Sequence, residues 1–273
     1  MKVTDHFLSS EEFELVYEPR FKAYKTIPAP VEVQAYYDSK EYFSHANNAT
    51  SIVAKLYALA KGFRNTSKWK TVLSFLGRHF SDGRTISALD FGSGDNSFVR
   101  AAPPRVHAIG IDPYTGHNAT NHFDSLASLS AQGLKFDVIT LWHSLEHTRD
   151  PLQTLNALIG FLKPGGQLHI AVPNYTSWDA AYYGAYWAGY DVPRHLWHFC
   201  PESFTLMSKE LQLEIHAQTP QWFDGFYISY LSEKYRGARF PLLLGLGRAL
   251  RALITLKALR NPSAIHVVMK KPV

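Results

Sequence analysis

The chain has 273 residues, 46% of them hydrophobic and 14% aromatic. That is enough for one large domain with a real core and too apolar for a disordered chain. A single cysteine, Cys200, excludes an intrachain disulfide framework or a cysteine zinc site and suits a reducing, cytoplasmic setting. The net charge of +5 is uneven, with nine Lys/Arg and no Asp/Glu from Lys234 to the end. This basic, apolar segment is expected either to make peripheral contact with an anionic lipid surface or an acidic substrate, or to form a helical insert with solvated charges. Its cations are not interleaved with aromatics, so no nucleic-acid partner is expected. The N-terminus lacks the apolar core of a signal peptide. Arg248, Arg251 and Lys257 interrupt PLLLGLGRALRALITLKAL (241–259), which argues against a membrane span.

Residues 1–80 are expected to form a helical cap, from EEFELVY and AYYDSKEYFSHA to SIVAKLYALAKGF and WKTVLSFLGRHF. The last two carry apolar residues at three- and four-residue steps, and IPAP (27–30) breaks the chain before them. From residue 81 strand and helix signals alternate. TISALDF, VHAIGID, KFDVITLW and QLHIAVP read as strands. DPLQTLNALIGFL reads as a helix with Asp150 at its N-cap and Pro151 in its first turn. Farther on, ESFTLMSKEL reads as a helix, and LQLEIHAQ and SAIHVVMKK as strands. This order predicts an α/β fold, a doubly wound, mostly parallel sheet flanked by helices. The sheet domain is expected over 81–273, with helical insertions at about 174–200 and 221–262.

ALDFGSGDNS (88–97) is the first stretch that speaks of function. A strand ending at Asp90 delivers the chain into a Gly-x-Gly turn. Gly92 and Gly94 permit unusual backbone angles and close approach of a ligand, and a following helix N-terminus would offer free N–H groups. No third glycine follows, but Asn96 tolerates left-handed geometry better than most residues. Asp112 ends the next strand, where a doubly wound sheet sets an acid beside a ribose. Two ligand classes share this layout. A dinucleotide dehydrogenase would prefer glycine at Ser97; the other class is the S-adenosylmethionine methyltransferases, and the rest of the chain decides between them.

ALDFGSGD, IGIDPY, FDVITLWHSLEHTRDP and LKPGGQLHIAVPN together resemble the class I S-adenosylmethionine-dependent methyltransferases. YKTIPAPVEVQAYYDSKEYFSH, WAGYDVPRHLWHF and GFYISYLSEKYRG are similar to a bacterial branch related to the ubiquinone-biosynthesis-type enzymes. The resemblance implies a seven-stranded Rossmann-like sheet and S-adenosylmethionine as cofactor. It implies Asp90, Phe91, Gly92, Ser93 and Gly94 around the methionine end, and Asp112 with Pro113 at the ribose. Trp142 and His143 would lie near cofactor and acceptor, and His45, in SHANN (44–48), would fold over the methionyl group. The segment between Asp112 and Lys135 is short for this family, which would reshape the adenine end; Asp124 serves there or in a turn.

The function implied is methyl transfer to a small-molecule acceptor: an oxygen of a sugar, a quinone-like ring or a lipid-linked intermediate. The alternative is a non-catalytic protein of the same fold that binds a partner or membrane. Acceptor chemistry is expected from AYWAGYDVPRHLWHF (185–199). His195 or His143 would accept a proton. Asp191 would orient a histidine or pair with Arg194, and Arg194 would otherwise clamp an anionic acceptor group. His143, Glu146 and His147 do not make a His-Glu-x-x-His pattern. Glu146 and His147 read as braces of the turn, and no metal is expected.

Overall fold

The computed structural model describes residues 1–37, 52–77, 83–113, 121–254 and 261–273. Three N-terminal strands, β1 (Lys2–Thr4), β2 (Glu12–Glu18) and β3 (Ala23–Ile27), open the chain. Within EEFELVY, Phe13 and Leu15 are buried while Glu12, Glu14 and Val16 are exposed. That period of two belongs to a half-buried strand, so the helical expectation for this stretch gives way to a hairpin pairing Leu15 with Thr26. Helix α1 (Ile52–Leu76) runs unbroken through both segments expected as separate helices. It buries Trp69, Val72 and Leu76 at i, i+3 and i+7.

The strands β4 (Ile86–Phe91), β5 (Val106–Ile111), β6 (His122–Phe123) and β7 (Phe136–Trp142) carry the expected alternation with helices. Between them lie only short helices, α2 (Ser97–Arg100) and α3 (Leu126–Ser130). Helix α4 (Pro151–Phe161) starts where expected, with Asp150 Oδ1 accepting from Gln153 N at 2.9 Å. Next come β8 (Leu162–Pro173), α5 (Trp178–Tyr183), β9 (Trp197–His198), α6 (Pro201–Glu210) and β10 (Glu214–Pro220). Helices α7 (Trp222–Tyr235) and α8 (Pro241–Ile254) and strand β11 (Ala264–Lys270) complete the described elements.

Two sheets result. The larger has seven strands in the order β10-β11-β8-β7-β4-β5-β6, and β4 pairs in parallel with both β5 and β7. Leu89 of β4 and Val138, Ile139 and Leu141 of β7 have no exposed surface, as fits parallel strands covered on both faces. The smaller sheet is antiparallel, in the order β1-β2-β3-β9.

By internal contacts the chain forms two compact units. One comprises Met1–Ser39, His143–Leu155 and Ile170–Met269; the other Lys40–Trp142, Asn156–His169 and Lys270–Val273. The boundary expected at residue 80 is therefore not where the packing divides. In the first unit Val3, Phe13 and Leu15 share one core with Tyr183, Trp187 and Tyr190. The N-terminal hairpin and the 174–200 insertion are thus folded together by a common apolar cluster.

Candidate active site

The glycine loop is built at the carboxyl end of β4. Gly92 N and Ser93 N donate to Ile111 O at 2.8 and 3.0 Å, pinning the turn to β5. Gly92 (φ 75°) and Gly94 (φ 52°) lie in the left-handed region, and so does Asn96 (φ 62°). Asn96 thus takes the conformation that glycine would take. Gly110, on β5, is required for the close approach: a Cβ there would fall 2.6 Å from Ser93 Oγ. The helix after the loop is a single turn, α2, too short to supply the N-terminal anion site expected from the sequence.

Asp112 Oδ2 accepts from Gly94 N at 2.9 Å, so the acid that ends β5 also fixes the loop. Asp90 is 4% exposed and accepts from Thr140 Oγ1 at 2.6 Å. Burial lifts its pKa to about 7, with nearby Asp112 adding to the rise and Thr140 and the charge of Lys68 opposing it. Ser93 Oγ is buried with no hydrogen-bond partner among the described residues. Phe91 is partly buried and Pro113 exposed. Trp142, the last residue of β7, packs edge-on against Phe98 at 5.7 Å with Lys68 Nζ 4.5 Å above its ring. Asp124 accepts from the hydroxyls of Ser125 and Ser128, a turn role at the start of α3. His45 lies outside the described residues.

The first unit carries a separate constellation. His143, the residue after β7, has φ 54°, an unusual conformation for a non-glycine residue. Its Nε2 donates to Asp224 of α7 at 2.9 Å, and its Nδ1 lies 3.4 Å from Glu146 Oε1. Burial works against its charge, but Asp224 and Glu146 outweigh that and hold its pKa at about 9. Glu146 is 1% exposed. Burial would raise its carboxyl, yet the His143 cation keeps it below its ordinary value. One ligand atom each from Glu146, His147 and His195 lies within 4.8 Å of the others. The His143 ring stands at the same point, its Nδ1 3.4 Å from Glu146 Oε1.

His195 is buried, and its Nδ1 donates to Gly189 O at 3.0 Å. Burial, helped by His147, pulls its pKa down to about 4, so the ring is neutral and a weak base at physiological pH. Glu146 and His147 are not simple turn braces either: His147 Nδ1 donates to Arg194 O at 2.9 Å, and Leu196 N donates to Glu146 O.

Arg194 and Asp191 pair with each other, one of the arrangements expected for them. Arg194 is 1% exposed. Its guanidinium lies 2.8 Å from Asp5 Oδ1 and 2.7 Å from Asp191 Oδ1, and it donates further to Tyr36 O. These carboxylates hold its pKa well above the usual value against the pull of burial. The guanidinium is committed inside the unit, tying the β1–β2 turn to the 190s, and is not an open clamp for an acceptor. Trp187 and Tyr190 are likewise core rings, with Trp187 Nε1 donating to Asp179 at 2.8 Å. Replacing Arg194 with alanine is expected to destabilise the fold by about 3–5 kcal/mol, because Asp5 and Asp191 would be left without their cation. Urea unfolding measures this; a loss below about 1 kcal/mol, as for an exposed pair, would contradict the buried network.

Comparison with known proteins places the glycine loop, both flanking strands and the residues to β10 in one family. Residues 61–218, more than half of the chain, match the model of a methyltransferase domain. The chain belongs to this family. Within it, the chain is 31% identical over 118 residues to the ubiquinone biosynthesis O-methyltransferase of Salmonella arizonae, covering 41% of this chain and 44% of that protein. It is 29% identical over 122 residues to the tRNA U34 carboxymethyltransferase of Desulfotalea psychrophila, covering 39% and 37%. The chain thus matches less than half the length of these curated relatives. The methyltransferase fold is also seen in the plantazolicin methyltransferase BpumL in complex with SAH, with TM-score 0.54, 16% identity and coverage of 88% and 94%. Among the described residues no helix is long and apolar enough to cross a membrane.

Sequence reasoning singled out Asp90, the glycines, Asp112 and His143, which the structure sets at the ends of β4, β5 and β7. It passed over Asp224, which lies 81 residues from His143 in an insertion with no motif of its own. It read Glu146 only as a brace, although a spacing of three from His143 was a usable signal.

Proposed function

We propose that the protein transfers a methyl group from S-adenosylmethionine to a hydroxyl of a small-molecule acceptor, with His143 taking the hydroxyl proton. The observation that carries the catalytic reading is the strained His143 imidazole held between Asp224 and Glu146. The loop fits the cofactor on three counts. Gly92, Gly94 and Asn96 leave the backbone able to approach a ligand closely. Ser93 Oγ is a buried polar atom with no hydrogen-bond partner among the described residues. Asp90 is a buried carboxyl that a cationic ligand would draw to its charged form.

When bound, S-adenosylmethionine supplies an activated methyl on its sulfonium. Asp112 would accept from the ribose hydroxyls while its other contact holds the Gly94 N–H. Asp90 would face the cationic methionine end, and Trp142 would exclude water. The Glu146 carboxylate, 3.4 Å from His143 Nδ1, would favour the proton on that nitrogen and leave Nε2 as the proton-accepting one. Asp224 occupies Nε2 in the free protein, so an acceptor hydroxyl must take that place before its proton can pass to the ring. A hydroxyl suits this arrangement because it must lose a proton on methylation, and the match to an O-methyltransferase supports the choice.

Calorimetric titration of the purified chain with S-adenosylmethionine and S-adenosylhomocysteine is expected to show binding in the micromolar range. A folded protein that binds neither would refute the proposal.

A further inference from the structure

Helix α8 is turned with its large apolar side chains outward. Gly245 packs on α7, so closely that a Cβ would fall 2.7 Å from Tyr230 Cα. Ala249 is 5% exposed, and Arg248 lies over the Tyr182 ring at 4.6 Å. The opposite face shows Leu242, Leu243, Leu246 and Leu250, each between 46% and 68% exposed, beside Phe240 at 57%. Solvent-facing leucines at i, i+4 and i+8 form a continuous strip of the kind that marks an interaction surface. Arg239 and Arg251 are exposed at its flanks. No acid occurs anywhere from Lys234 to the C-terminus, against nine cations.

We infer that α8 is a docking surface for an anionic lipid bilayer, lying in the plane of the interface with its leucines in the acyl boundary. Over the described residues the helix runs for 14 residues, roughly 21 Å at the α-helical rise, short of a hydrocarbon core of about 30 Å, and Arg248 and Arg251 interrupt its apolar run. The docking inferred is therefore flat on the bilayer. Apolar burial and attraction to anionic headgroups are the two signals that stable peripheral attachment needs. A second copy of the chain is the poorer occupant. A twofold contact through this face would bring identical arginines together with no acid from the segment to offset them. The inference goes beyond the methyl-transfer proposal and stands apart from it, because docking needs neither the glycine loop nor His143.

The test is flotation of the full chain with vesicles of phosphatidylcholine, with and without phosphatidylglycerol. The wild type is expected to float with the anionic vesicles and to be released by salt. Leu243→Glu with Leu246→Glu, and separately Arg239→Glu with Arg251→Glu, should each lower the partition at least about tenfold. All four residues are exposed, so melting temperature and S-adenosylmethionine binding should hold in both variants. Failure of the wild type to float, or flotation unchanged by either pair of substitutions, would overturn the inference. So would light scattering that shows a dimer dissociated by the leucine substitutions, which would assign the strip to a second copy.

Discussion

Replacing His143 with alanine is expected to lower kcat by about 10²–10⁴-fold, the usual worth of a positioned proton acceptor, with little change in S-adenosylmethionine affinity. The wild-type pH profile should carry the signature of the residue. Asp224 and Glu146 favour the imidazolium, so the neutral, proton-accepting ring dominates only above about pH 9, and kcat/KM should rise with pH to a plateau there. Asp224→Asn removes the charge that faces Nε2. The midpoint should then move down toward the ordinary imidazole value of about 6.5. A merely structural Asp224 would lower activity without moving the midpoint, and a flat wild-type profile would end the role of His143 as base. Stability runs the other way. A histidine whose folded pKa is raised contributes its full stabilisation below its unfolded value, and that contribution is lost as pH rises through about 9. The pH that activates the ring therefore weakens the contacts that hold it.

Asp112→Ala should weaken binding of S-adenosylmethionine and S-adenosylhomocysteine together, by about 10–100-fold, the worth of one hydrogen bond to a charged group. Two losses combine: the proposed acceptor for the ribose hydroxyls, and the observed anchor of Gly94 N. Asp112→Asn keeps an acceptor oxygen and should lose less. Both ligands carry the same ribose, so a variant that loses one and keeps the other would show that Asp112 acts elsewhere. At saturating cofactor, kcat should change little, which separates this residue from His143 in the same assay. Calorimetry and initial rates on one preparation give both readouts.

The sequence by itself determined the parts whose signal is local. Parallel strands buried on both faces read as apolar runs, and β4, β5 and β7 lie within a residue of where TISALDF, VHAIGID and KFDVITLW put them. Asp150 caps α4 because a carboxylate ahead of a proline-started helix has one obvious donor to accept from. Asn96 replaces a loop glycine because backbone tolerance is a property of the residue itself. Family motifs, which are also local strings, marked the glycine loop proposed to hold the cofactor. Tertiary structure alone decided what depended on partners far along the chain. Arg194 pairs with Asp5, 189 residues away, and this decides between the clamp and the structural pair that the sequence left open. His143 meets Asp224 across 81 residues, and His195 loses its basicity to burial that no spacing reports. The N-terminal hairpin was misread because its charged, exposed positions obscured a short period-two pattern that only its packing on Trp187 and Tyr190 makes plain. Periodicity records the backbone geometry of each segment, whereas the charge state and role of a side chain are set by whatever the fold brings against it.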